Sequence, residues 1–439
     1  MTRAARLVKP DEVPEAVRDK VKIGLLDMLS CALEARDLPW GCQAIQMASR
    51  AFSPEKPGIA SLIGSRTRVA TGDAAFANAT LGHGLVREDM HTGAVSHLGV
   101  VIYPTLLACA QRSPVHGRDF ILAAACGYEI GAAIGKALVD AQFVKFHRPT
   151  GTTGPIAAAA AGSLALGLSE DATVSAIGLA ANTAGGLNEW PYTGGDEMFF
   201  HPGFAARNAV AAVELAQLGA FASETALDGI SGLFAALHRS DRVDAVAPFQ
   251  GEWEILSVYY KPAPACNYAQ TACQAALILA QQDGVKSGDI ESIRVRSSAA
   301  AVAYPGCNFA GPFQRILQAK MSIQFCVAAT LAQGRIAESN YRLLDDPEVT
   351  RLAHAITLEP GYEFTQSYPA QQGAEVTVKL RNGETRTERL PDVVPATPGE
   401  IRNRFRAVCP NAKAVEDFID DLENQPGAGA LLTLLEGKE

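Results

Sequence analysis

The stretch Tyr259-Tyr260-Lys261-Pro262-Ala263-Pro264-Ala265-Cys266 divides the chain into parts whose patterning differs in kind. Upstream run Ala- and Gly-rich apolar segments at helical spacing. Downstream come alternating segments, Ile293-Arg294-Val295-Arg296 and Val376-Thr377-Val378-Lys379, that read as strands. Pro262 and Pro264 each fix φ and remove a donor, so no helix runs through the crossing. It is therefore a hinge between a helical part and an α+β part, and Lys261 stands on it. An ammonium at a domain boundary, where clefts for small ligands form, is placed to hold or polarise an anion; a solvated linker lysine is the plainer alternative.

A chain of 439 residues exceeds what one core usually supports, which agrees with the division. Helices are predicted over 16–35, 42–51, 72–85, 100–109, 119–138, 155–166, 169–181 (Ser169 as N-cap), 203–218 and 231–238. In 119–138 the small residues Gly127, Gly131 and Gly135 let helix backbones approach closely. Beyond the hinge the pattern predicts a helix over 266–282, a strand over 290–297 and a helix over 318–333 with Gly334 near its end. A hairpin follows, of 374–380 and 384–390 around Arg381-Asn382-Gly383, because Asn-Gly supplies the positive φ values of a tight turn. The segment 398–435 returns to helical patterning. The fold expected is mainly α: a large all-helical domain (1–261), a smaller α+β lid (262–393), and C-terminal helices (394–439) packing back on the first.

Composition removes several functional classes. A net charge of −9 argues against a general nucleic-acid binder, which needs a basic face. Hydrophobic residues make up 48% and charged ones 19%, a globular balance, and no run is expected to be long and apolar enough to cross a bilayer. The basic residues near Met1 lead into the charged segment from Lys9 to Lys22 instead of an apolar signal core, so a cytoplasmic location is expected. Nine scattered cysteines contain no CxxC pair, and neither a disulfide framework nor a structural zinc site is supported. There is no GxSxG elbow, P-loop or dinucleotide motif.

Chemistry concentrates between His83 and His97, which holds His83, Glu88, Asp89, His91 and His97 in a protein with eight histidines. Imidazoles that titrate near neutrality and adjacent carboxylates suit acid–base catalysis. Two alternatives stand beside it: metal ligation by His83, Glu88, His91 and His97, whose spacing fits no standard zinc pattern, and a polar loop that only caps helix ends. A second candidate is His147, just before the Gly/Thr-rich turn Thr150-Gly151-Thr152-Thr153-Gly154 that opens a helix, where free N–H groups favour an anion. Arg207, in His201-Pro202-Gly203-Phe204-Ala205-Ala206-Arg207-Asn208, could clamp a carboxylate or form a structural ion pair.

These landmarks together resemble the MmgE/PrpD family. The resemblance rests on Gly82-His83 leading into an acidic segment that ends at His97 with Pro104 beyond, on the His147 turn, on the His201–Asn208 run, and on Lys261-Pro262-Ala263-Pro264-Ala265-Cys266. It covers nearly the whole chain. It implies a cofactor-free homodimer with no metal, whose active site lies between a helical domain and a lid and acts on small di- or tricarboxylates. By carry-over His97, His147 and Lys261 fall on catalytic positions. Glu88 or Asp89 would orient an imidazole, and His83, His91, Thr150, Arg207 and Cys266 would face substrate. At positions that are polar in the family this chain has Val86, Met90, Met198, Gln270 and Phe325. A pocket with fewer cations and hydroxyls should hold a tricarboxylate poorly, because an unpaired buried carboxylate is costly.

The function expected is a lyase or isomerase that abstracts the proton α to a carboxylate, in the first instance a dehydratase or hydratase. An epimerase or decarboxylase on the same scaffold, and a non-catalytic carboxylate-binding homologue, are the alternatives. On this reading Lys261→Ala and His147→Ala should each cost about a hundredfold in kcat.

Overall fold

In a computed structural model that describes residues 1–53, 55 and 57–436, the chain is mainly α with a smaller α+β part, as its patterning predicts. The helical part is built on Glu15–Glu34, Thr71–His83, Gly99–Arg112, Gly117–Leu138, Pro149–Ala165, Glu170–Ala181 and Glu197–Gln217. Gly117–Leu138 packs along Pro149–Ala165, which in turn lies against Glu197–Gln217 and Gly99–Arg112. Alanine and glycine make this closeness possible. A Cβ added at Gly131 would stand 2.7 Å from the Ala157 methyl, and one at Gly127 3.0 Å from that of Ala161. At 22 residues Gly117–Leu138 is long and apolar enough to cross a bilayer, contrary to expectation, yet 89% of its most apolar window is buried in protein.

Two helices begin earlier than predicted. Pro149 at the first helical position presets φ, so the supposed Gly/Thr turn is the first turns of Pro149–Ala165, with the Thr152 and Thr153 hydroxyls donating to the Arg148 and Pro149 carbonyls (3.1 and 3.0 Å). Glu197–Gln217 likewise starts ahead of Pro202. The predicted helix over 318–333 is two, Ile316–Met321 and Ile323–Gln333, parted by Ser322, whose hydroxyl caps the second by accepting from the Phe325 N–H (2.9 Å). The Ser169 cap, accepting from the Ala172 N–H at 3.2 Å, is where it was predicted.

The C-terminal part carries a four-stranded sheet in the order Ile356–Pro360, Ile290–Ser297, Ala374–Leu380, Thr385–Leu390; the first pair is parallel and the rest antiparallel. The Asn-Gly hairpin forms, with Gly383 at φ 89°. The apolar face of the sheet and the helices Gln270–Ala280 and Ile323–Gln333 form one core, which also takes in Leu85, Val86, Trp190, Met198 and Phe199 from the helical part. Helix Pro398–Val408, opened by a Thr397/Glu400 capping box, packs on Glu15–Glu34. From it Arg404 donates to the carbonyls of Lys261 and Pro262 (3.1 and 3.0 Å), pinning the crossing between the two parts.

Candidate active site

A short antiparallel pairing brings the site together. Met90 pairs with Tyr259 and His91 with Val258, so the same register carried two residues further sets Lys261 across from Glu88. The crossing lysine thus faces the acidic segment, at the floor of a narrow cavity that His97, Arg148, Lys261 and Cys266 line with several apolar side chains. Val86 and Val95, which also line it, adopt left-handed backbone (φ 59° and 47°). For β-branched residues that conformation is strained by about 1–3 kcal/mol, and it persists where the surroundings over-determine the chain, as at functional sites.

Glu88, 1% exposed, is the hub. Its Oε1 lies 2.6 Å from His83 Nδ1 and 3.1 Å from His97 Nδ1, and Oε2 has no hydrogen-bond partner among the described residues. Burial pushes the carboxyl's pKa up, but the two imidazoles and Lys261 together hold it well below the usual carboxylate range. His97 Nδ1 also sits 2.7 Å from the carbonyl oxygen of Asp89, which can only accept. Nδ1 therefore carries the proton, and Nε2 is left with its lone pair. Burial first, and then the Lys261 ammonium, push this imidazole's pKa well below 6.5, so at neutral pH it is an uncharged base. Thr150 accepts from the His97 N–H (3.0 Å) and fixes its backbone.

His83 has the same tautomer: Nδ1–H points to Glu88, and Nε2 accepts from Arg148 Nη2 at 3.3 Å beside Met198 Sδ. Arg148 is buried and lies over the Trp190 ring (5.3 Å). Its Nε has no partner, and no carboxylate pairs with it among the described residues. Lys261, fully buried, donates to the Ala265 carbonyl (3.3 Å); burial lowers its pKa from 10.5, opposed by Glu88.

Other residues named from sequence lie elsewhere. His147, half-exposed, packs its ring on Phe143 (centroids 5.0 Å apart) and is not among the side chains lining the cavity. The backbone is extended at 147 (φ −118°, ψ 140°), so neighbouring side chains point to opposite sides and it is Arg148 that faces inward. Arg207 is exposed and pairs with Asp73 (3.2 Å), because its helix turns that face to solvent. His91 bonds Glu254 (3.0 Å) and the Ala94 N–H, tethering the 249–257 segment and not the cavity. The Asp89 carboxyl is turned to the rear, where it accepts from the Tyr128 hydroxyl (2.5 Å) and the Gly99 N–H (3.3 Å), and burial raises it to about 6; only its main-chain carbonyl meets His97. Cys266 lines the cavity 3.7 Å from the Cys307 sulfur. Gln270 staples the hinge through the backbone of Ala263, Ala265 and Cys266, and Phe325 is core. Among the described residues no group of three or more His, Cys, Asp or Glu side chains is arranged to hold a metal ion.

Sequence reasoning missed Arg148 and the tyrosines Tyr268, Tyr304 and Tyr368 over the cavity, where the Tyr268 and Tyr368 hydroxyls meet at 2.9 Å. The residue before a proline favours extended backbone, which signals alternation at 147–148 without saying which side chain turns in. The tyrosines come from three separate segments and carry no local signal.

A neutral base, a carboxylate that orients it and two buried cations around one cavity can take a proton beside a carboxylate and stabilise the charge that develops. Chemistry of this kind belongs to lyases, and this chain is an enzyme of the lyase type. It is a member of the MmgE/PrpD family: the family's N-terminal domain model matches residues 1–245 and its C-terminal domain model residues 263–413. The cis-aconitate decarboxylase-like protein oryM of Aspergillus oryzae is 29% identical, over 98% of this chain and 95% of its own length. The cis-aconitate decarboxylase of Aspergillus terreus is 26% identical over 97% and 93%. An alkylcitrate dehydratase, phiI, from a fungal species is 29% identical over 54% of this chain and 49% of its own.

Proposed function

We propose that this enzyme removes the proton α to a carboxylate of a small di- or tricarboxylic acid and expels water from the adjacent carbon, or runs that addition in reverse, without a cofactor. One observation carries the reading: the Asp89 carbonyl and Glu88 hold the His97 Nδ1 proton, which leaves Nε2 as a neutral base in the cavity that Lys261 also lines. Nε2 takes the α-proton, and the electrons of that C–H bond become the new C=C as the C–O bond at the next carbon breaks. The departing hydroxide takes a proton from the Lys261 ammonium and leaves as water. Proton exchange through solvent then returns the imidazolium proton to the amine. Arg148 holds a substrate carboxylate, the partner it lacks within the chain.

Decarboxylation is the second reading, favoured by the two relatives named above that span nearly the whole chain. It needs a protonated group to quench the carbanion after CO2 leaves. The Lys261 ammonium that protonates the departing hydroxide can also quench this carbanion, so the two reactions are told apart by their products. The division at 1–261, 262–393 and 394–439, a homodimeric state and a cytoplasmic location without membrane or nucleic-acid partners belong to the same reading.

Purified protein offered 2-methylcitrate and cis-aconitate, with alkene absorbance, CO2 release and entry of solvent deuterium followed together, separates dehydration, decarboxylation and epimerisation. His97→Asn and Lys261→Met, checked for folding by circular dichroism, should each lose about a hundredfold or more in kcat. Near-normal turnover in either variant refutes the assigned roles.

A further inference from the structure

The catalytic cavity does not end at its tyrosines. Thr92, Val95, Tyr268, Tyr304 and Tyr368 line it on one side and, on the other, line a second cavity of about 520 Å3 that opens at the surface beside exposed Tyr192. That outer chamber is walled mainly by apolar groups, among them Val139, Val144, Ala300, Ala303 and Pro305. Its charged members are already engaged or peripheral: Asp140 is bridged by Arg239 and Arg242 (3.1 and 2.6 Å), and Lys145 lies over Phe146. Among its described lining residues the inner cavity has two cations, Arg148 and Lys261. Val86, Met90 and Met198 line it beside the hydroxyl and amide groups of Thr92, Asn267 and the tyrosines, so the two cations can answer the carboxylates of a small head group while no third cation stands ready for a further one.

We propose that the substrate is a carboxylic acid bearing an apolar arm, with its carboxylate head between Arg148 and Lys261 and its arm passing the tyrosines into the chamber lined by Val144 and Ala303. The idea rests on the carboxylate reading above and adds the class of substituent. Water in an apolar chamber of this size is readily displaced, and each methylene taken out of solvent contributes about 0.8 kcal/mol, roughly fourfold in affinity. The tyrosine rings, Tyr268 lying 5.2 Å from Tyr304 and 5.9 Å from Tyr368, would flank the arm, as aromatic edges flank an alkyl chain.

Calorimetric titration of the full chain with succinate, methyl-, butyl- and hexylsuccinate and tricarballylate tests this. Affinity should rise about fourfold per methylene along the alkyl series, with tricarballylate weaker than butylsuccinate. Ala303→Trp, or Val144→Phe should the first variant not fold, should flatten the series and leave methylsuccinate binding unchanged. A flat series in the unaltered protein, tricarballylate as the tightest ligand, or a rising series untouched by the chamber variants overturns the apolar arm while short acids still bind. Failure of every acid to bind would instead remove the carboxylate reading, and this inference with it.

Discussion

A buried guanidinium usually stands against a carboxylate, since burying a charge without one costs several kcal/mol. Among the described residues Arg148 meets the His83 ring, the Met198 sulfur and the Trp190 face, and no carboxylate. A substrate carboxylate completing that set makes Arg148→Met costly in binding: KM should rise about tenfold to a hundredfold, with a smaller change in kcat. His147→Ala, one residue away and outside the cavity, should leave both constants near normal, and steady-state kinetics of the pair decides which neighbour matters. The pH profile follows from two side chains. His97, its affinity for protons depressed, must be neutral to act, so the acid limb of kcat/KM should lie below 6.5. In its proposed role Lys261 acts as the ammonium, and its pKa is lowered by burial, so the alkaline limb should lie below 10.5. Stability shares the acid side: unfolding lets His83 and His97 take up protons that the folded chain refuses, so thermal stability should fall as pH drops below 6.5.

Among the elements, the helix pair Gly117–Leu138 and Pro149–Ala165 sets the back wall of the site, because the second begins at the residue after Arg148. Gly131 is where the two cannot move apart. A methyl there meets the Ala157 methyl, fixed to its own backbone, at 2.7 Å and a Leu98 Cδ methyl at 2.9 Å, and Leu98 follows His97 directly. Gly131→Ala should therefore destabilise the fold by about 1–3 kcal/mol despite the better helix propensity of alanine, and shift His97 enough to lower kcat. Denaturant melts alongside kinetics would show both effects; a more stable variant of unchanged activity would mean that the pair has slack. Gly186, at φ 106° and with the Arg148 Cβ 3.1 Å from where its own would stand, serves the neighbouring turn in the same way.

For the whole molecule the question is what holds the smaller α+β part at the right distance from the helical one. Lys320, fully buried, donates to the Leu85 carbonyl of the helical part (2.9 Å), to the Pro264 carbonyl of the crossing (3.0 Å) and to Glu338 (2.6 Å). Three segments far apart in sequence meet on one ammonium. Lys320→Met would leave Glu338 buried and unanswered, costing about 3–5 kcal/mol. Lys320→Met with Glu338→Leu should recover much of that stability, yet not the activity, because the bridge from Leu85 to Pro264 stays broken. Full recovery of turnover in the double variant would show that the ammonium serves only stability.

Most helices of the N-terminal part, the strand 290–297 and the Asn-Gly hairpin could be read along the chain because each depends on residues within one or two turns: periodic burial, a cap, a prolyl φ, a glycyl turn; the helix Pro347–His354 and the strand Ile356–Pro360 could not. His97, Lys261 and Glu88 could be named for a similar reason, as an unusual local density of imidazole and carboxylate and a lysine fixed by prolines. Which side chain of a pair faces the cavity is a matter of packing. Arg148 turns in and His147 out, Arg207 reaches solvent, His91 ties down a loop and the Asp89 carboxyl points to the rear, since each orientation is chosen by partners from distant segments. The tyrosines and the outer chamber exist only once three such segments are laid together. Local chemistry determined the elements and the inventory of reactive groups; long-range burial, satisfying each polar atom against whatever the fold brings near it, decided which of those groups share a cavity.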